Sequence, residues 1–529
     1  MSGRHLLAID AGTGSCRAVL FDDQARQVGV SLREWVHRET PGVPGGQDFD
    51  VERSWQLIAA CVAEVLAASD TAASDVAAVA TTSMREGMVL YDAAGAEIWA
   101  CPNVDGRAAA EAAELVRSGE ADKIYNQAGD WVSITSPARL RWIAHHAPWV
   151  LASTASLGLL SDWITYRLSG VHVTEPSCGS SSGMFDLPTR TWSHDIAALC
   201  GVPNAALPPV YEPGTVIGTV TPAAAAATGL AIGTPVITGG ADTQLGLAGA
   251  GLRVGELAVV AGTFWQTAIL LDSPIVDPGR RLRTLCHVEP GQWMLEGIGF
   301  YSGMAMRWFR DSFCAAEVEE AARRGIDPYV VMEERAATVP AGSLGVLAIL
   351  SNVMNAARWV HASPSLVGFD LSNPDTGLQA SVRAIEEAGA YVARAHRDII
   401  TEVTGVTVPR VVFTGGASKG TLWPQIIADV LAAEVEVPAV TESSARGAAV
   451  AAGVGVGMFG SLSDAPGLRD RSRTVTPQPG DVAVYDEAYG HWRTAYDRLL
   501  QISEEGALTP LWRAAGADAP PPSVTTPTS

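Results

Sequence analysis

Apolar and polar positions along this chain follow two periods, and the shorter one comes first. Leu6–Ile9 and Ala18–Phe21 are strand-length apolar runs, and Ala11-Gly12-Thr13-Gly14-Ser15 between them predicts a turn of residues that tolerate tight, positive-φ geometry. Gln27–His37 reads as extended and the segment from Pro41 to Gly46 as a loop. Asp50 predicts an N-cap. Behind it, Trp55, Ile58, Val62, Val65 and Leu66 recur at helical spacing, which predicts one buried helix face running to about Ala68. A strand at Val76–Thr82 and a hairpin of Met88–Tyr91 with Glu97–Ala100 follow.

Three strands, a helix and a further strand is the order of an actin-like, ribonuclease-H-like module. The pattern returns in the second half. From Ala258 the chain reads AVVAGTFWQTAILLD, with Ala261-Gly262-Thr263 between two apolar runs, so a second hairpin is expected to face the first across a ligand. Further helices are predicted at Ser161–Leu168, before Phe313 with Trp308 and Phe309 packed inward, and at Gly377–Val403; strands are predicted at Pro235–Thr238 and Val411–Thr414. The expected fold class is α/β, with two actin-like (ribonuclease-H-like) domains flanking a nucleotide and substrate cleft. The expected domains are 1–246 and 247–515, followed by an Ala-, Pro- and Thr-rich tail at 516–529 that is expected to be disordered.

Composition narrows the function. At 47% hydrophobic and 18% charged, 529 residues describe a soluble globular protein with a large core. A formal net charge of −21 argues against a nucleic-acid partner, which requires clustered cations. The seven cysteines form no CxxC pair and point to a reducing compartment. Asp10 interrupts the first apolar run, and the uncharged stretches at 213–241 and 447–463 are broken by Gly, Pro or Thr. A cytoplasmic protein without a membrane segment is expected.

The turn at Gly12-Thr13-Gly14-Ser15 can converge backbone N–H groups on an anion. Asp10 would place a carboxylate beside phosphates, where Mg²⁺ or its waters need oxygen ligands. Thr13, Ser15 and Arg17 are candidate phosphate contacts. A plain glycine hairpin is the alternative. Arg85-Glu86 pairs a bidentate donor with an acceptor and suits a polyhydroxy or carbonyl ligand, although from the residues alone a surface ion pair is the preferred reading. Asp242 follows a strand and two glycines at the start of a helix, where it is either a proton acceptor or an N-cap.

SMREG at Ser83–Gly87, IWACPNVDGRAA at Ile98–Ala109, SDWITYRLSG at Ser161–Gly170, GTFWQ at Gly262–Gln266, MRWFRD at Met306–Asp311 and GGASKGTLWPQI at Gly415–Ile426 carry a resemblance. From about Leu6 to about Trp512 the chain resembles the FGGY family of carbohydrate kinases and, within it, the autoinducer-2 kinase subfamily. The resemblance implies that Arg85 and Glu86 orient substrate, that Asp242 is the catalytic base with Gln244 beside it, and that Asp10 organises Mg²⁺ through water. It implies a second phosphate loop at Gly262 and Thr263 and an adenosine loop at Gly415 and Gly416. Lys419, one of two lysines among 36 basic residues, would add a compact cation there. Asn103 stands where polyol kinases commonly carry a substrate-contacting Trp, so a differently shaped pocket is implied. Asp105 and Arg107 either touch substrate or buttress this loop, and Arg139 is expected to be structural.

The activity so implied is ATP- and Mg²⁺-dependent phosphorylation of linear autoinducer-2, with no nucleic-acid or membrane partner and with a homodimer allowed. A pentulose kinase is the sibling alternative. A nucleotide-switched binding protein of the actin and chaperone type is the alternative from another class, and it would have no need of Arg85, Glu86 and Asp242.

Overall fold

The computed structural model describes residues 4–514 apart from positions 359 and 441; the tail expected to be disordered lies outside the described residues. In the first half β1 (His5–Ala11), β2 (Ser15–Phe21), β3 (Gln27–Glu34), helix α1 (Val51–Ala68), β4 (Val76–Ser83), β5 (Val216–Thr219) and β6 (Pro235–Ala241) assemble a sheet of order β5-β6-β4-β1-β2-β3. β1 and β2 pair antiparallel with Asp10 opposite Arg17, whereas β4 runs parallel to both β1 and β6. Helix α2 (Asp242–Gly249) leads out of this half.

The second half repeats the plan. β7 (Leu257–Ala261), β8 (Trp265–Leu271), β9 (Arg283–Cys286), β10 (Trp293–Gly299), helix α3 (Leu378–Thr404), β11 (Arg410–Gly415), helix α4 (Leu422–Leu431), β12 (Glu434–Pro438), helix α5 (Ser443–Gly455), β13 (Arg471–Val475) and helix α6 (Pro479–Glu504) give a sheet of order β9-β10-β8-β7-β11-β12-β13. Its β7–β8 hairpin is antiparallel, and β11 runs parallel to β7 and β12, as β4 does to β1 and β6.

Each sheet is covered on both faces, which its apolar runs require. Asp50 caps α1 by accepting from Arg53 N at 2.9 Å, and Trp55, Ile58, Val62 and Val65 pack beneath Leu7, Ile9 and Leu20. On the opposite face α5 lays Ala445, Ala448, Ala449 and Ala452 against Leu6, Ala8 and Ile237, although it belongs by sequence to the second half. In the second sheet Tyr391 of α3, Ile427 of α4 and Trp492 of α6 cover Leu257, Val259 and Phe413. Truncating any of these large side chains to Ala costs about 2–5 kcal/mol.

Helices α2 and α5 touch backbone to backbone between the sheets. A Cβ on Gly249 would fall 2.0 Å from Ser443 O, and one on Gly447 would fall 2.1 Å from Leu245 O. α2 turns Leu245 and Ala248 toward α5 and Leu247 toward the second sheet.

Two expectations need correction. Neither Gly12 nor Gly14 takes positive φ; a Cβ on Gly14 would meet nothing within 4 Å, so this glycine leaves open space instead of relieving a strained turn. Phe309 is buried, but Trp308 on the same helix (Ser302–Phe313) is 48% exposed, because consecutive residues on a helix face different directions.

Candidate active site

The parallel strands bring the candidate chemistry to one edge. Ala11 at the end of β1 stands opposite Ser83 at the end of β4, which stands opposite Ala241 at the end of β6. The segments leaving these positions carry Gly12 to Ser15, Arg85-Glu86 and Asp242. Ligands of open parallel sheets gather at such carboxyl edges.

A cavity of about 460 Å³ opens there, lined by Thr13, Arg85, Glu86, Asn103, Asp105 and Asp242 from the first half, and by Phe264, Gln266, Arg283, Ile298, Phe300 and Tyr301 from the second. Two lining residues, Glu86 (φ 62) and Tyr301 (φ 65), hold left-handed backbone without being glycine. Such strain, at about 1–3 kcal/mol each, collects where geometry serves a ligand.

Asp242 is the first residue of α2, and the N-cap position falls to Ala241, which supplies no side-chain cap. The N-cap alternative therefore does not describe this carboxylate. Its Oδ1 accepts from Thr243 N at 2.6 Å. Burial pushes its pKa above the usual carboxylate range; Arg85 and the Thr243 amide pull it back, and Glu86 adds to the rise. A carboxylate held this way is a better proton acceptor than a free one.

Asp10 lies on β1, its Oδ2 3.2 Å from Arg17 Nε and its buried Oδ1 without a hydrogen-bond partner. Burial lifts its pKa to about 7, against the pull of Arg17 and with help from Asp242 and Glu442. Arg17 also donates from Nη1 to Glu442 Oε2 at 2.5 Å, joining the first hairpin to the entry of α5.

Arg85 and Glu86 belong to a buried network. Arg85 Nη1 donates to Glu296 Oε1 at 2.7 Å, while Arg283 donates from Nε to the same oxygen at 2.5 Å and from Nη1 to Glu86 Oε1 at 2.8 Å and Asp130 Oδ2 at 3.2 Å. The network crosses from one half to the other, and removing one partner would strand a buried charge at about 3–5 kcal/mol. Burial pushes Asp130 up to about 6, against Arg283. Glu296 is also lifted by burial, but Arg85 and Arg283 outweigh this and leave it below its ordinary value.

The remaining candidates divide. Asn103 Nδ2 donates to Thr13 Oγ1 at 3.0 Å, tying the two loops at the cavity. Asp105 lines the cavity, but its Oδ1 is taken by Arg107 Nε at 2.7 Å and Gln47 N at 2.8 Å, which is a buttress. Arg139 is buried and donates to the backbone oxygens of Glu86, Asn103 and Asp105, so it fixes both substrate-side loops. Gln244 is fully buried, its Nε2 3.4 Å from Cys286 O, and does not line the cavity; Gln266 does.

Gly262, Thr263, Gly416 and Lys419 are exposed outside this cavity, at the ends of β7 and β11. Gly415 stands opposite Ala261 there with φ +99, and a Cβ on it would sit 2.5 Å from Ala261 O, so only glycine fits. Sequence reasoning missed Arg283, Glu296 and Asp130. Glu296 interrupts an otherwise apolar strand and Arg283 opens a short, fully buried one, and a charge in a buried strand was the available signal.

Comparison with known proteins decides the family. The model of the FGGY family of carbohydrate kinases matches residues 5–249 for its N-terminal domain and 257–456 for its C-terminal domain. The chain belongs to the FGGY family of carbohydrate kinases. Relatives of this FGGY kinase include an autoinducer-2 kinase from Salmonella typhimurium, 41% identical over 97% of this chain and 98% of its own length. Another from Yersinia pseudotuberculosis is 43% identical over the same shares.

Among solved structures, xylulose kinase from Rhodospirillum rubrum superposes with a TM-score of 0.82 at 29% identity, covering 94% of this chain and 99% of its own. Plasmodium falciparum glycerol kinase with ADP superposes at 0.80 and 18% identity, covering 94% and 98%, and shows the fold alone. The two-domain actin-like architecture is thus that of the FGGY kinases, which are phosphotransferases with an alcohol acceptor and use ATP. Among the described residues no helix is long and apolar enough to cross a membrane.

Proposed function

We propose that this FGGY kinase transfers the γ-phosphoryl group of ATP to the terminal (C5) hydroxyl of linear autoinducer-2, 4,5-dihydroxypentane-2,3-dione. The observation that carries the reading is Asp242, whose carboxylate lines the same cavity as Arg85 and Glu86 at the carboxyl edge of the first sheet. Near-full-length similarity to autoinducer-2 kinases supports the choice of substrate. Asp242 accepts the hydroxyl proton as that oxygen attacks phosphorus, and Arg85 and Glu86 orient the acceptor. Residues 1–246 carry the base and the acceptor-orienting pair and 247–515 the nucleotide side, with Phe264, Phe300 and Trp512 of the second half completing the acceptor cavity. Gly12 to Ser15 and Gly262-Thr263 cradle phosphates, Gly415-Gly416 receives the adenosine, and Lys419 adds a cation.

The residues around Asp10 fit Mg²⁺. Its buried Oδ1 has no hydrogen-bond partner, and Asp242 and Glu442 add negative charge that a cation would offset. Among the described residues no three His, Cys, Asp or Glu side chains gather to hold a metal alone. Asp10 would therefore hold the ion through water, beside the phosphates. When bound, Mg²⁺ supplies charge neutralisation at the transferring group.

The proposal places the enzyme in the cytoplasm, where ATP is available and its seven buried cysteines stay reduced. It also includes a homodimer through β3, an edge strand that turns Val28, Val30 and Leu32 outward at 44–51% exposure. Antiparallel pairing of two copies about Val30 sets Val28 opposite Leu32, matching apolar with apolar. Val30→Lys should convert a dimer to a monomer in light scattering; a wild type already monomeric at working concentration removes the dimer.

A substrate panel scored by phosphorylated product tests the activity. The linear dione should be preferred over xylulose, ribulose and glycerol. Equal or better turnover of xylulose would make this a pentulose kinase. ADP production unchanged by every polyol and dione would leave only the nucleotide-switched binding protein.

A further inference from the structure

The family model ends at residue 456, yet the chain beyond it supplies part of the substrate cavity. After α6 the backbone turns at Gly506 (φ +81) and comes back to the cleft. There Arg513 bridges Val360 antiparallel, and Trp512 O accepts from His361 N at 2.9 Å. The Trp512 indole stacks on Phe300, with centroids 5.2 Å apart and planes inclined by 21°, and lies 5.0 Å from the His361 ring. Ala514 anchors the segment in the core that holds Trp131, Met354 and Ala356.

The cavity lining thus has two characters. Arg85, Glu86, Asn103 and Asp242 are polar, whereas Phe264, Phe300 and Trp512 bring aromatic rings to the lining, with Gln266, Tyr301 and Arg513 beside them. The proposed acceptor has two matching ends. Its C4–C5 diol needs hydrogen bonds, while its C1 methyl and adjoining flat dione carry no donor. Xylulose differs at that second end, with a hydroxyl on C1 and another on C3. A hydroxyl set against a ring without a partner costs about 1–3 kcal/mol, whereas a methyl there gains dispersion contacts.

We infer that Trp512, seated on Phe300, is a specificity-determining residue that receives the methyl-dione end of the substrate while the diol end lies at Asp242. The inference rests on the dione-kinase reading of the same cavity. It places a substrate-selecting side chain in the last described segment, beyond the residue at which the matched family domains end.

The test compares kcat/KM for the linear dione, 1-deoxyxylulose and xylulose in the wild type, Trp512→Ala and Trp512→Phe, with ATP KM and Tm measured on the same preparations. Trp512→Ala should lower kcat/KM for the dione by about 10- to 100-fold, chiefly through KM. Xylulose should change by less than about three-fold, 1-deoxyxylulose should fall between, and ATP KM should stay level. Trp512→Phe should keep most of the preference, and it carries the test if the alanine variant does not fold. A wild type that prefers the dione and an alanine variant that keeps that preference would overturn the inference and leave the dione kinase standing. A wild type with no preference for the dione would overturn both, and the two failures are distinct.

Discussion

The two hairpins share a plan and differ in what they carry. In the first, Ala11 pairs with Cys16 and the turn runs through 12–15; in the second, Ala261 pairs with Trp265 and the turn is shorter, through 262–264. One step before each shared Ala-Gly-Thr stands Asp10 in the first copy and Val260 in the second. Asp10 is buried among Arg17, Asp242 and Glu442, whereas Gly262 and Thr263 are exposed and their strand carries no charge. One copy concentrates titratable groups, and the other offers backbone and a hydroxyl. Repetition of a fold does not repeat its chemistry, because the backbone plan sets where a strand ends and not which side chain stands there.

The strongest way to break this division is Asp242→Asn. Loss of general-base assistance should lower kcat by about 10²–10⁴-fold with ATP affinity near wild type. Asparagine keeps the size, Ala241 holds the N-cap position, and burial lifts the Asp242 pKa, so Tm at neutral pH should not fall and should rise if anything. A variant that retains most of its kcat would take the base away from the first half.

Asp10→Asn comes next, with kcat lower by about 10²-fold. Its stability should move the other way. The folded pKa of Asp10 is raised from 3.8 to about 7, so the folded state binds the proton more tightly and stability falls as pH rises between those values. The variant escapes that loss. Its Tm should exceed that of the wild type above pH ~7 and match it below pH ~4, and thermal unfolding across that range without such a divergence would contradict the burial of this charge.

Thr263→Ala and Lys419→Ala sharpen the comparison from the other side. Each should raise the KM for ATP by about ten-fold, the worth of one hydrogen bond to a charged group, and leave the KM for the acceptor unchanged. Movement of the acceptor KM instead would reassign the second hairpin. The smallest effect belongs to Glu442→Gln, which removes one of the charges lifting Asp10 and frees Arg17 for it. The pH midpoint assigned to Asp10 should fall by under about one unit, read from the pH dependence of Tm.

The elements were legible where periodicity is local. Asp50, the α1 stripe, the Met88 hairpin and the long helix at 378–404 stand close to where the sequence puts them. So does the gathering of Thr13, Arg85, Glu86, Asn103 and Asp242, because the motifs mark the ends of strands that the topology aligns. What escaped depends on contact between distant segments. Arg283 meets Glu86 across 197 positions, and Trp512 meets Phe300 from the far end of the chain. Gln244 shows the reverse failure: its place next to Asp242 in sequence suggested the cavity, and helical geometry turned it into the core.

The glycine contact between α2 and α5 makes the enzyme a pair of shears whose rivet is bare backbone. Leu245 O and Ser443 O sit where any side chain at Gly447 or Gly249 would have to go. A single methyl at that rivet touches no ligand, yet it would wedge the blades and misalign Arg85 with Glu296 and Arg283 with Glu86, contacts that span the gap at hydrogen-bond length. Alignment of the cutting edge is thus set at the fulcrum, by two residues chosen for having nothing to offer but clearance.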